Sequence, residues 1–263
     1  MPRHTALEES KSFGVRTVPA LRPLGWLARG GADLLRCPLP GLLHGAAAAL
    51  FGALVFWFAR ERFWLLSGAF SGFLLVAPVV ATGLYAVSRR LERGQSAGIG
   101  DALRAWRPRD GRLVVFGVLL AFAGTGWVLT SASLITGFAG APVHTPADFL
   151  HSVVLDEESW LFEAWLALGG VLAAPVFAST VIAIPLLLDR EIGVFGAVLT
   201  SWRVVMAQPL AMALWAALIM GLTLLGMACA LIGLVVVVPW LAHASWHAYR
   251  DLVVSSGLPE RPW

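Results

Sequence analysis

Residues Pro209–Tyr249 read PLAMALWAALIMGLTLLGMACALIGLVVVVPWLAHASWHAY, an apolar block of 41 residues without one Asp, Glu, Lys or Arg. At 1.5 Å per residue a single helix of that length would measure about 61 Å, twice the hydrocarbon thickness of a bilayer. The block therefore predicts two spans broken at the small residues Ala228, Cys229 and Ala230. Helix five is expected over about Pro209–Met227 and helix six over about Leu231–Arg250. Four apolar stretches precede it: about Pro38–Ala59, Trp64–Ser88, Leu113–Phe138 and Trp160–Leu188. Each is long enough for the roughly 20 residues that cross a bilayer.

Composition agrees. Of 263 residues, 58% are hydrophobic and 13% charged, with a mean hydropathy of +0.77. Soluble domains carry about 25% charged residues. That difference excludes a disordered chain, a nucleic-acid module and an ordinary cytosolic enzyme. Two cysteines exclude a disulfide scaffold, and 27 glycines without a period exclude collagen. The class is an all-α, polytopic helical membrane protein.

Charge orients it. Seventeen of the 19 Lys and Arg fall before span one, between spans two and three, between four and five, or after six. Only Arg60 and Arg62 lie on the other side, and the loop Ala139–Ser159 has no basic residue. The positive-inside rule then puts both termini in the cytoplasm of a bacterial inner membrane. A five-span chain would place Arg250 outside, so six spans are favoured. The net charge of +3 follows from this asymmetry and needs no nucleic-acid partner. No cleavable leader is expected, because polar and charged residues fill much of the stretch before Pro38. Cys37 and Cys229 fall at opposite membrane faces and are not expected to bridge.

A repeat underlies the spans. Gly30-Gly31-Ala32-Asp33-Leu34-Leu35-Arg36 matches Gly98-Ile99-Gly100-Asp101-Ala102-Leu103-Arg104, and Gly193-Val194-Phe195-Gly196 begins a third copy whose Trp202-Arg203 echoes Trp106-Arg107. Even-numbered spans share a Pro-x-x-Ala step at Pro78, Pro175 and Pro239, and Arg89 and Arg250 follow the first and last by eleven residues. Three transmembrane hairpins are expected, each preceded by an amphipathic interfacial helix, as repeats 22–88, 97–188 and 193–250. They lie within a six-helix domain, 22–254, between a tail at 1–21 and another at 255–263. In the clearest interfacial helix, Arg22–Arg36, Arg22, Arg29 and Arg36 recur every seven residues, with Leu24, Leu27, Leu34 and Leu35 on the opposite side. Asp33, four after Arg29, is expected to pair with it at the surface.

Small-residue steps at Gly41/Gly45 and Gly68/Gly72 predict close helix contacts. Trp57, Trp64 and Trp160 are expected at the outer interface, Trp106 and Trp202 at the inner one. Thr145-Pro146-Ala147-Asp148 reads as the start of a short outer helix.

Chemistry is sparse. No ionisable Asp, Glu, Lys or Arg occupies the centre of a span, which argues against ion pumps and proton-coupled carriers. There is no Walker A, Gly-x-Ser-x-Gly or His-Glu-x-x-His motif. No catalytic residue is assigned. The candidates for a cofactor are His44, His243 and His247: the last two share a helix face, and His44 and His243 share a depth, so they could bracket a haem iron or hold a metal. The plainer reading makes them interhelical hydrogen-bonding groups, with no cofactor expected. If His44 faces His243, helices one and six must be neighbours.

Ser201–Pro209, Met212–Ala216 and the run His243-Ala244-Ser245-Trp246-His247-Ala248-Tyr249-Arg250-Asp251-Leu252 resemble a bacterial family of integral membrane proteins known as domain of unknown function 2189. The resemblance covers roughly Val15–Val254, with Gln208 standing where the family has Asn. It implies a polytopic inner-membrane protein without an assigned activity. Some relatives carry a terminal-oxidase label, although the histidine-bearing spans of a haem–copper subunit are missing here. The functional expectation is an accessory or assembly subunit of a larger membrane complex, possible in a respiratory setting, whose partners are the bilayer and other membrane-protein subunits. Alternatives are a transporter or lipid-handling protein for an apolar or zwitterionic substrate, and a haem- or metal-binding protein. More often than not such chemistry belongs to no enzyme.

Overall fold

A computed structural model describes residues 5–59, 61, 63, 64, 66, 68, 79–105 and 111–261. Most of the second predicted span, including Gly72 and Pro78, lies outside these residues, as do Arg60, Arg62, Trp106, Arg107 and Arg109.

The described chain is mostly helical. In order it forms α1 (Ala6–Lys11), β1 (Gly14–Val15), α2 (Arg22–Arg36), α3 (Pro38–Ala59), α4 (Thr82–Glu92), α5 (Ile99–Ala105), α6 (Arg112–Phe138) and α7 (Pro146–Phe149). A single π turn, Leu150–Val154, is followed by α8 (Leu161–Thr180), α9 (Ala183–Asp189), α10 (Val194–Ala207), α11 (Pro209–Ala228), α12 (Leu234–Leu252) and β2 (Val253–Val254). Among the described residues four stretches are long and apolar enough to cross a membrane: Pro38–Phe58, Arg112–Phe138, Leu161–Asp189 and Pro209–Ala228. Predicted spans one, three, four and five coincide with them.

Local chemistry explains the ends. Pro38 and Pro209 open α3 and α11, where a missing N–H costs nothing. Pro185 cannot donate to Val181 and its ring crowds that carbonyl, so the fourth span is interrupted after Thr180 and restarts at Ala183. The Ser201 hydroxyl accepts the Ile182 N–H at the break, 3.2 Å away. The 41-residue block turns where the small residues predict. Ala230 and Leu231 take φ of 52° and 66°, left-handed values that cost side-chain-bearing residues energy. Tight closure offsets that cost: a Cβ on Gly233 would stand 2.7 Å from the Gly226 Cα.

The chain divides into two compact units. The first comprises Met1–Ala49, Pro78–Phe116 and Phe177–Trp263. Here α12 packs on α2, α4 on α5, and α9 on α10. Trp26 meets Trp215 edge-on at 5.6 Å, and both are fully buried with Trp246 and Tyr249. Residues expected as a tail are ordered: α1 packs on α10, and β1 pairs antiparallel with β2, Gly14 opposite Val254 and Val15 opposite Val253. Gln208 Oε1 accepts the Val18 N–H at 3.3 Å, a structural task for the amide at that position.

The second unit, Leu50–Ala77 and Gly117–Val176, has its own core of Ile135, Val143, Val153 and Leu161, lined by Phe63, Phe149 and Trp165. Thr145 caps α7 in a reciprocal box with Asp148, as its sequence predicts. Thr125, Thr130 and Thr136 bond carbonyls of their own helix.

Candidate functional site

Within the first unit the polar side chains gather around three aspartates. Asp33, on α2, is buried and does not pair with Arg29 at the surface as its spacing suggests. Trp26, Gly30 and Asp33 share one helix face, and that face is covered by α12, where Gly30 lies against the Ala244 backbone. Asp33 Oδ2 accepts from the Ser88 hydroxyl at 2.7 Å and from His247 Nε2 at 2.8 Å. Burial pushes its carboxyl up, but the bonds from His247 and Ser88 outweigh that and hold it below the usual carboxylate range.

An ionised carboxylate only accepts, so the Ser88 proton is committed to Asp33 and Ser88 Oγ must accept from His243 Nδ1, 2.7 Å away. His243 Nε2 then carries the lone pair of the neutral ring. It is buried without a hydrogen bond among the described residues, 3.7 Å from where a Cβ on Gly41 would stand. His44 uses Nδ1 as donor to its own helix, at Pro40 O, 2.7 Å. Its Nε2 lies 3.0 Å from where a Cβ on Gly83 would stand. His44 and His243 are electrostatic neighbours, and α3 and α12 meet directly: a methyl on Gly45 would overlap the Val235 carbonyl. The Gly41/Gly45 step therefore serves contact within one chain. A haem between these helices would have to part them. Among the described residues no group of three or more His, Cys, Asp or Glu side chains is arranged to hold a metal ion, and both cysteines are unbridged.

Asp251, at the end of α12, accepts from Arg22 Nε at 2.6 Å, Arg29 Nη2 at 2.5 Å and Trp26 Nε1 at 2.9 Å. Burial raises its pKa, but the Arg22, Arg29 and Trp26 bonds bring it down to about 2. Asp189, ending α9, is buried and pairs with Arg89 Nε at 2.9 Å and Arg190 Nε at 3.1 Å, while the Tyr249 hydroxyl donates to it at 2.7 Å. Beyond these arginines stands Glu260, held below the usual range by Arg93, although its partial burial works the other way.

Sequence reasoning finds the three histidines but not Asp33 and Ser88 as partners of His243 and His247, nor the arginine-bound carboxylates Asp189, Asp251 and Glu260. One signal was present: Asp33 repeats the face of Trp26 and Gly30 at helical spacing. What the arrangement does chemically is to fasten helices. Each aspartate joins segments far apart in sequence, Asp33 and His247 being 214 residues apart.

No match is found among curated proteins or among solved structures. The C-terminal runs that carry the resemblance, including His243–Leu252, lie outside the stretch that does match a known family. Residues 65–189 match the family described as predicted integral membrane protein (DUF2189), and with four helices of membrane length among the described residues the chain reads as an integral membrane protein.

Proposed function

We propose that this chain is a six-span protein of a bacterial inner membrane, with both termini cytoplasmic, that acts as an accessory or assembly subunit stabilising a larger membrane complex. The observation that carries this reading is how the buried carboxylates are used. Asp33, Asp189 and Asp251 each accept from two or more donors of the same chain, and at each of them at least one bond ties together segments far apart in sequence. Polar groups of a reaction or transport site would instead face a substrate path.

The β1–β2 pair supports the topology. Residues 14–15 and 253–254 hydrogen-bond to each other, which supports an even number of crossings between them. That favours six spans over five. Tandem repeats gain support from the packing of α4 on α5, α9 on α10 and α12 on α2. In terms of the predicted repeats, the end of each hairpin rests on the interfacial helix of the next, and the last rests on the first.

Affinity purification from native membranes in mild detergent, followed by native mass spectrometry, tests the function. A second membrane protein in fixed stoichiometry is expected. A single chain, monodisperse and alone after extraction into native nanodiscs, overturns the reading.

A further inference from the structure

Three guanidinium groups converge on one half-exposed carboxylate. Glu260 Oε2 is 3.3 Å from Arg89 Nη2 and 2.5 Å from Arg93 Nη2, and Oε1 is 3.4 Å from Arg190 Nη2. The arginines come from two places, the end of α4 and the residue after α9. Arg89 and Arg190 are nearly buried, with side chains 4% and 10% exposed, whereas Arg93 is 39% and Glu260 49% exposed. The two buried arginines are anchored from beneath by Asp189, which accepts from Arg190 Nε at 3.1 Å and forms an ion pair with Arg89 at 2.9 Å. A guanidinium is a rigid planar fork, so anchoring it on an inner carboxylate turns a terminal nitrogen toward the solvent side. The result is a preformed ring of three Nη2 groups around the position of the Glu260 carboxylate.

We propose that Arg89, Arg93 and Arg190 form a binding site for a phosphate monoester, which the Glu260 carboxylate fills in this structure. The charges and oxygens fit a phosphate better than a carboxylate. Asp189 neutralises one of the three arginines, which leaves two positive charges facing outward. Glu260 cancels one of them, and a dianionic phosphate cancels both. The carboxylate makes Arg89 and Arg93 share Oε2, while a phosphate supplies an oxygen for each guanidinium. The arginines hold Glu260 ionised below its usual range, so acidification near neutral pH does not vacate the site. A competing anion must displace the side chain.

A phosphate monoester reaches such a site either as free phosphate or as the headgroup of a phosphatidic acid, and three probes separate these sources. The whole purified chain, in phosphate-free non-ionic detergent at constant ionic strength, is titrated with inorganic phosphate, dioctanoyl phosphatidic acid and dioctanoyl phosphatidylcholine. Native mass spectrometry and thermal unfolding read the binding. Glu260→Gln keeps the side-chain shape and removes the competing charge, and is expected to tighten binding of phosphate or phosphatidic acid about tenfold. Adding Arg93→Gln to that variant is expected to return binding to the level of the phosphatidylcholine control. Binding of both phosphate probes supports the site with soluble anions as ligands, and binding of phosphatidic acid alone supports it with a lipid headgroup as ligand. Equal, weak retention of all three probes by Glu260→Gln overturns the proposal. Should Glu260→Gln not fold, the unaltered chain still decides: its unfolding midpoint must rise with a phosphate probe, and the rise must vanish in Arg93→Gln. An identical response in the two chains overturns the site.

Discussion

Asp33 joins α2 to α4 through Ser88 and to α12 through His247. One oxygen accepts hydrogen bonds from Ser88 and His247, and Ser88 passes the connection to His243. Asp33→Asn removes the ionic acceptor and puts donors of its own beside two committed ones. A loss of about 2–4 kcal/mol is expected, because two buried hydrogen bonds to a carboxylate are weakened together, each worth about 1.5–3 kcal/mol. Ser88→Ala deletes both of its bonds, to Asp33 and from His243, and leaves a buried imidazole N–H unpaired, so it is expected to cost about 1–3 kcal/mol. The double variant should fall short of the sum, because both changes cut one network. Denaturant unfolding in a fixed detergent measures all three. Costs below about 0.5 kcal/mol for Asp33→Asn would mean that the network contributes nothing. The sequence reveals Asp33 but not its partner. A pairing four residues away, with Arg29, is visible in a helical wheel, whereas one 214 residues away is not. Arg29 could not keep Asp33, because Asp251 takes its guanidinium from the far end of α12.

Among the elements, those punctuated by charge and proline are the ones legible in advance. Arg22 and Arg36 bound α2, and Pro38 opens α3, so both match the expected limits. The turn between α11 and α12 follows from bilayer thickness alone. The interruption of the fourth span was not read, since Pro185 stands among leucines that suit a continuous helix. Two-residue strands carry no periodicity, so nothing local foretells β1 and β2. Close helix contact gives the sharpest test at this scale. Gly45→Ala drives a methyl into the Val235 carbonyl, and a backbone cannot step aside as a flexible side chain does. Gly117, inside α6, has nothing within 4 Å of its missing Cβ. Gly117→Ala is therefore expected to be neutral or stabilising by up to about 1 kcal/mol, while Gly45→Ala loses at least about 2 kcal/mol. Equal thermal midpoints for the two variants would remove the α3–α12 contact.

At the scale of the molecule, the pairing of β1 with β2 is the feature on which the proposed even number of crossings rests. A Cβ on Gly14 would lie 3.3 Å from the Val254 Cβ, close to the roughly 3.5–4.5 Å span of disulfide-bonded residues. With Cys37 and Cys229 replaced by Ser, Gly14→Cys with Val254→Cys is expected to oxidise to one intramolecular bridge. Gel mobility before and after reduction reads it, and a failure to bridge would remove the argument for an even number of crossings. The same long-range economy sets a problem of time. The face of α2 that holds Trp26 and Asp33 is covered by α12, which the ribosome makes roughly 200 residues later. At about 5–20 residues per second, that delay is on the order of 10–40 s. Throughout it, α2 carries Trp26 and Asp33 while the helix that covers them is still unsynthesised.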